Sequence, residues 1–197
     1  MRPRTLCIVA AALFAGGLSL RAASPIDVSR SAAMPRYAEG APPGFSGGSG
    51  ESCHACHFEA EVNQKPGLLT LVGLPERFTP GERYTLTVSL TRPGLKLGGF
   101  QLSARLENGS QAGTLTAPPD NGGRMGVETQ GGIQYASQRR PGATPVAADT
   151  ARWTVLWQAP DAPAQAVQIQ VAANAADGDE SVRGDYVYTA VLKTSPQ

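Results

Sequence analysis

From Tyr84 to Leu90 the side chains alternate without a break. Tyr84, Leu86, Val88 and Leu90 fall to one side, and Thr85, Thr87 and Ser89 to the other. A period of two belongs to a strand with one buried and one open face, whereas a helix would scatter these residues around its axis. The pattern recurs at Phe100, Leu102 and Ala104, at Trp153, Val155 and Trp157, and through residues 167–171 and 186–192. Residues 68–72 form a short apolar run, and weaker candidates lie at 112–116, 125–128 and 133–137. Turn residues punctuate these segments, as in Thr79, Pro80, Gly81 and Glu82. With 23 Gly and 16 Pro in 197 residues, long helices are disfavoured. Seven to nine short strands and no helical stretch predict an all-β protein built as a β-sandwich.

The N-terminus follows another rule. Arg2 and Arg4 precede an apolar run from residue 6 to 20, and small residues follow at Ala22 and Ala23. This is the pattern of a secretory signal peptide over residues 1–23, and the run is short for a membrane span. Its removal takes Cys7, Arg2, Arg4 and Arg21 and no acid. That leaves 14 basic against 16 acidic side chains, two cysteines, and no membrane span expected in the mature chain. Near-neutral charge without a basic stripe argues against nucleic acid as a partner. Residues 24–66 read as a loop-rich segment, with Gly and Pro concentrated at 40–50 and a short helical look confined to 51–62. Residues 67–197 hold the strands.

The two remaining cysteines stand in Cys53-His54-Ala55-Cys56-His57, a C-x-x-C-H motif of covalent haem attachment. Cysteines three apart on one turn lie on one side of the backbone, within reach of both vinyl groups on one porphyrin edge. A histidine directly after them can place a ring nitrogen on the iron. Export fits, since thioether attachment is completed outside the cytoplasm in bacteria. Three readings compete: a C-x-x-C disulfide, which does not need His57; a zinc site, for which four ligand types within five residues close a tetrahedron poorly; and chance. On the haem reading one haem c is bound, with Cys53 and Cys56 as thioethers and His57 on the iron. Phe45 and Phe58 are then candidates for contact with the haem edge. His54 points away, so the sixth position falls to Met34 or Met125, with Met125 favoured in the loop 121–126; Lys65, Lys96 and Tyr135 are more remote.

The run from Gly40 to Glu51 followed by Cys53, Cys56 and His57 resembles the start of bacterial reelin-like domains of the choice-of-anchor V group. Similar pieces follow in order: residues 80–88, 99–102, 111–114 and 133–135, Trp153 and Trp157 ahead of Ala159-Pro160, and Ala172-Ala-Asn174 ahead of 184–188. The resemblance covers roughly residues 40–192. It implies an immunoglobulin-like, reelin-type β-sandwich and an exported protein carrying a C-x-x-C-H segment. Relatives often carry a histidine shortly after the tyrosine matching Tyr135; here Ala136, Ser137 and Gln138 follow. Relatives also often end in a surface-sorting tail; this chain ends at Ser195, Pro196 and Gln197, so it is expected to be soluble or held only by its N-terminus.

Other features carry less chemistry. Asp177, Asp179, Glu180 and Asp185 gather oxygens, yet they miss the EF-hand spacing and read as a solvated turn. Arg183-Gly184-Asp185 spells an adhesion tripeptide, with Asp185 expected to cap the turn. Trp153 and Trp157 read as core. No nucleophile elbow, phosphate loop or paired carboxylates occur, so no enzyme is expected beyond weak redox activity at a haem. The sequence therefore predicts a periplasmic or secreted single-haem protein passing electrons to a partner protein it does not name. In that picture the sandwich shields one haem face and residues 40–50 wrap an edge. The alternative is a non-catalytic extracellular binding or adhesion module whose C-x-x-C is a disulfide staple.

Overall fold

The alternation of residues 84–90 is the middle of a longer strand. A computed structural model describes residues 37–48, 50–162 and 165–197; the leader, Cys7 and Met34 lie outside the described residues. Ten strands follow in order: β1 (Leu68–Val72), β2 (Arg77–Phe78), β3 (Arg83–Thr91), β4 (Leu97–Leu106), β5 (Thr114–Thr116), β6 (Met125–Gln130), β7 (Ile133–Gln138), β8 (Thr150–Gln158), β9 (Val167–Ala176) and β10 (Tyr186–Pro196). One sheet runs β1-β3-β8-β5 and the other β2-β10-β9-β4-β7-β6. Neighbours pair antiparallel except β2 with β10. The protein is an all-β sandwich of two sheets.

The inward sets meet as the alternation predicts. Leu86, Val88 and Leu90 of β3 and Trp153, Val155 and Trp157 of β8 face Phe100, Leu102 and Ala104 of β4 and the odd-numbered residues of β9. Phe100 stacks on Trp153 at 4.6 Å between ring centroids, and Phe78 meets Trp157 edge-on at 5.4 Å. Each indole N–H finds a backbone acceptor at 2.9 Å, Gly142 O for Trp153 and Ala112 O for Trp157, so neither large ring buries an idle donor.

Several local expectations change. Residues 51–62 form no helix beyond one 3-10 turn, Cys53–Ala55. Strand β2 has only two residues and carries no readable period, yet it buries Phe78 completely. A four-residue helix, α1 (Arg140–Ala143), carries a proline in its first turn, and its Gly142 carbonyl receives Trp153. Met125 opens strand β6 instead of riding a free loop. No helix among the described residues is long and apolar enough to cross a membrane.

The Gly/Pro-rich segment 40–48 lies against the outer face of the six-stranded sheet. There Gln101, Ser103 and Gln170 are buried although they point away from the core. The Gln101 carbonyl accepts the N–H groups of Gly44 and Phe45 at 3.0 and 2.6 Å, and its amide donates to the carbonyls of Ala41 and Pro42 at 3.2 and 2.9 Å. One side chain thus satisfies four backbone groups of a segment with no ladder of its own. Ser46 and Ser103 share a hydrogen bond of 2.8 Å. Gly48 has φ +73°, and a Cβ there would stand 2.3 Å from the Gln170 amide carbon, so glycine is what admits the close approach.

Candidate functional site

The segment crossing that face delivers the C-x-x-C-H motif onto β9. Ser46 bridges Ser52, and Gly47 N–H reaches Glu51 O at 2.8 Å, closing a tight loop. Ser52 then caps the next turn, its hydroxyl accepting from His54 N–H at 3.2 Å. The Cys53 carbonyl accepts both Cys56 N–H at 3.2 Å and His57 N–H at 3.0 Å. Both cysteines and His57 therefore share one hydrogen-bonded turn, as the spacing predicts. Past the motif the chain is sewn to the exposed side of β10. Asn63 N–H donates to Val187 O at 2.8 Å, and its side-chain carbonyl accepts from Thr189 N–H at 2.9 Å. The Tyr188 hydroxyl donates to Gln64 O at 2.8 Å, and a Cβ at Gly67 would stand 1.9 Å from that hydroxyl oxygen. The turn is clamped before and after, which fixes its side chains to the sheet.

His57 makes the decisive contact. Its Nδ1 lies 2.6 Å from Asp185 Oδ2; the histidine side chain is 26% exposed and the aspartate side chain 1%. Asn174 Nδ2 donates to the same oxygen at 3.2 Å and sits 3.4 Å from His57 Nδ1. Asp185 Oδ1 accepts from Asp177 N–H at 3.4 Å. A buried carboxylate is costly unless its oxygens are engaged, and these three donors engage both. Asn174 Oδ1 itself is buried without a partner. His57 Nε2 has no protein partner among the described residues. Sequence reasoning saw Asp185 only as a turn residue. The signal it passed over was a carboxylate placed at the mouth of a strong strand. The same burial removes the Arg183-Gly184-Asp185 tripeptide from any adhesion role, because its carboxylate is spent on His57 and Asn174.

The cysteines are unpaired, half-buried thiols. Burial pushes the Cys53 thiol up to about 12, and the neighbouring Cys56 adds to the rise. A thiol held protonated is the opposite of a redox-active C-x-x-C cysteine, whose thiolate is stabilised. Among the described residues no cluster of three or more His, Cys, Asp or Glu side chains converges on one metal-sized point.

The other candidates separate clearly. Phe58 follows His57 and is 65% exposed. Phe45 is half-buried, with its N–H on Gln101 of β4, the strand beside β9. His54 is turned to the Ala60 carbonyl, 3.1 Å from Nε2. Met125 is not brought to His57. It is 4% exposed within the core, on β6, while Asn174 lies on the outer face of β9 between core residues Ala173 and Ala175. Strand β6 is three places from β9, about 14 Å away, and Met125 faces the opposite side of the sheet. Tyr135 accepts from Arg105 at 2.7 Å on β7, also away from the turn. Gln138 accepts Phe100 N–H at 2.9 Å. The acidic loop folds into Asx turns, Asp179 N–H on Asp177 and Ser181 N–H on Asp179, and has the form of a solvated turn.

No protein-family model and no curated protein matches this chain. Solved structures similar to it include the reeler domain of human F-spondin, at 19% identity over 70% of this chain and 93% of that one, TM-score 0.48. The Reelin-N domain of F-spondin is similar at 21% identity over 74% and 95%, TM-score 0.49. A cohesin module from a Clostridium perfringens family 33 glycoside hydrolase is similar at 10% identity over 66% and 98%, TM-score 0.42.

Proposed function

We propose that this chain is an exported haem c protein that exchanges single electrons with a partner protein, its β-sandwich serving as the rigid mount. One observation carries the reading: His57, directly after two thiols on one turn, has Nδ1 held by a buried carboxylate and Nε2 without a protein partner among the described residues. A disulfide staple has no use for that arrangement, whereas an imidazole meant for a metal needs its second nitrogen fixed. Cys53 and Cys56 would hold the group as thioethers and His57 Nε2 would face the iron. Exposed Phe58 offers apolar surface beside it. The haem supplies a one-electron couple; the chain supplies orientation, the axial nitrogen, and a clamp that resists displacement of the turn. Among the described residues, neither His54 nor Met125 reaches His57.

A second reading has its own observation. The outer face of the β1-β3-β8-β5 sheet is uncovered, with Thr85, Thr91 and Arg152 exposed and Thr87 and Thr154 half-exposed. Such a face suits a non-catalytic extracellular binding module, with the C-x-x-C segment as a staple. Mass separates the two. Secreted protein made beside a haem-attachment system should exceed its polypeptide mass by one haem, with a Soret band that survives acid-acetone extraction, and Cys56→Ala should lose that covalent band. Protein that weighs only its polypeptide sinks the haem reading and leaves the binding module.

A further inference from the structure

The geometry points to Asp185, held by Asn174, as the positioning residue that fixes the tautomer of His57 and biases the iron toward its oxidised state; this rests on the haem reading.

Donor and acceptor counting gives the first half. An ionised carboxylate only accepts, and Asn174 Nδ2 only donates. Both His57 Nδ1 and Asn174 Nδ2 converge on Asp185 Oδ2, at 2.6 and 3.2 Å. His57 therefore carries a hydrogen on Nδ1, and Nε2 is the nitrogen left to face a ligand. The Asn174 amide cannot be turned around, because its oxygen would then face a carboxylate oxygen. The fold accepts a buried, unpartnered Asn174 Oδ1 to keep this orientation. Position 185 needs a carboxylate for this purpose. Asparagine has a single acceptor oxygen, which cannot serve both His57 Nδ1 and Asp177 N–H as the two carboxylate oxygens do.

The second half follows from polarity. A carboxylate accepting the Nδ1 hydrogen draws that proton toward itself and makes Nε2 more basic. A more basic axial nitrogen favours Fe(III) over Fe(II), so the couple is held low.

The full secreted chain carries the test. Asp185→Asn should keep covalent haem and shift the oxidised-to-reduced ratio at fixed poise by tenfold or more toward the reduced form, about 59 mV upward for one electron. Asn174→Ala leaves Asp185 in place but unsteadied and should move the couple the same way by less. A haem-free readout uses Cys53→Ala/Cys56→Ala chain labelled with nitrogen-15. There the neutral His57 ring should carry its hydrogen on Nδ1 rather than on Nε2, and adding Asp185→Asn should weaken that preference. If Asp185→Asn fails to fold, Asn174→Ala and the haem-free tautomer decide. Unchanged potential and unchanged tautomer in folded variants overturn the inference. A wild-type chain without haem removes the functional reading, while the tautomer experiment still stands or falls by itself.

Discussion

The two sheets present outer faces with the same period and opposite fates. On the four-stranded sheet, Thr87 and Thr154 alternate with core residues and meet solvent. On the six-stranded sheet, Gln101, Ser103, Gln170 and Asn174 alternate with core residues just as regularly and are buried. The difference lies in a segment rich in glycine and proline, which approaches closely, spends its backbone groups on Gln101 and lays Gly48 against Gln170. Period two therefore reports which residues point away from the core. It does not report what lies beyond them. The buried face is the one that carries the candidate site.

Gln101→Ala should break this contrast most. It strands two N–H groups and two carbonyls of residues 41–45, and buried groups left without partners cost about 1–3 kcal/mol each. Since the segment is only part-buried, water recovers some of that, and a total loss of about 3 kcal/mol in urea unfolding is expected. Amide exchange of Gly44 and Phe45 should accelerate more than exchange in β3. A loss as small as that of a surface threonine would mean the segment is not held by Gln101. Gly48→Ala comes next, at roughly 1–3 kcal/mol, from the left-handed backbone and the Gln170 amide together. Adding Gln170→Ala should recover the steric part and leave the backbone part, so the double variant separates the two.

The sequence shows the strands because each is a run of period-two residues, and it shows the motif because Cys53, Cys56 and His57 are adjacent. It hides what depends on chain return. Asp185 reaches His57 only after β9 and β10 bring their ends under the turn, and no local pattern marks that meeting. Strand β2 and helix α1 are too short to carry a period. Met125 reads as a loop residue because Gly122, Gly123 and Gly126 surround it, yet its side chain finds the core and strand β6 starts there. The alternation of β9 is equally legible through Val171, but only the structure shows that its polar set is covered.

Cys53 offers a sharper test of that cover. Its thiol is raised from 9.0 to about 12 by burial, so the neutral thiol is the form the folded chain favours. The associated stability is complete below pH 9 and falls as pH rises toward 12. In haem-free wild-type protein, alkylation should mark Cys56 first, with Cys53 following only as pH nears 12 or urea opens the segment. Equal labelling of both thiols at pH 8 would place Cys53 in water.

Met125→Leu should have one of the smallest effects, below about 1.5 kcal/mol, since it exchanges two flexible core side chains of similar volume. Its value lies in the spectrum. A methionine on the inner side of β6 cannot reach a haem iron held at His57 as proposed, on the outer side of β9, without taking the sheet apart. The haem spectrum and the response of the reduced protein to carbon monoxide should therefore match wild type. A lost or shifted band in Met125→Leu would mean that the chain rearranges around the haem, and that the buried face is opened when the group is attached. Thr87→Ala, on the bare face, is the control and should stay within about 0.5 kcal/mol of wild type. If Thr87→Ala and Met125→Leu both leave the haem spectrum untouched while Gln101→Ala shifts it, the proposed site belongs to the covered face.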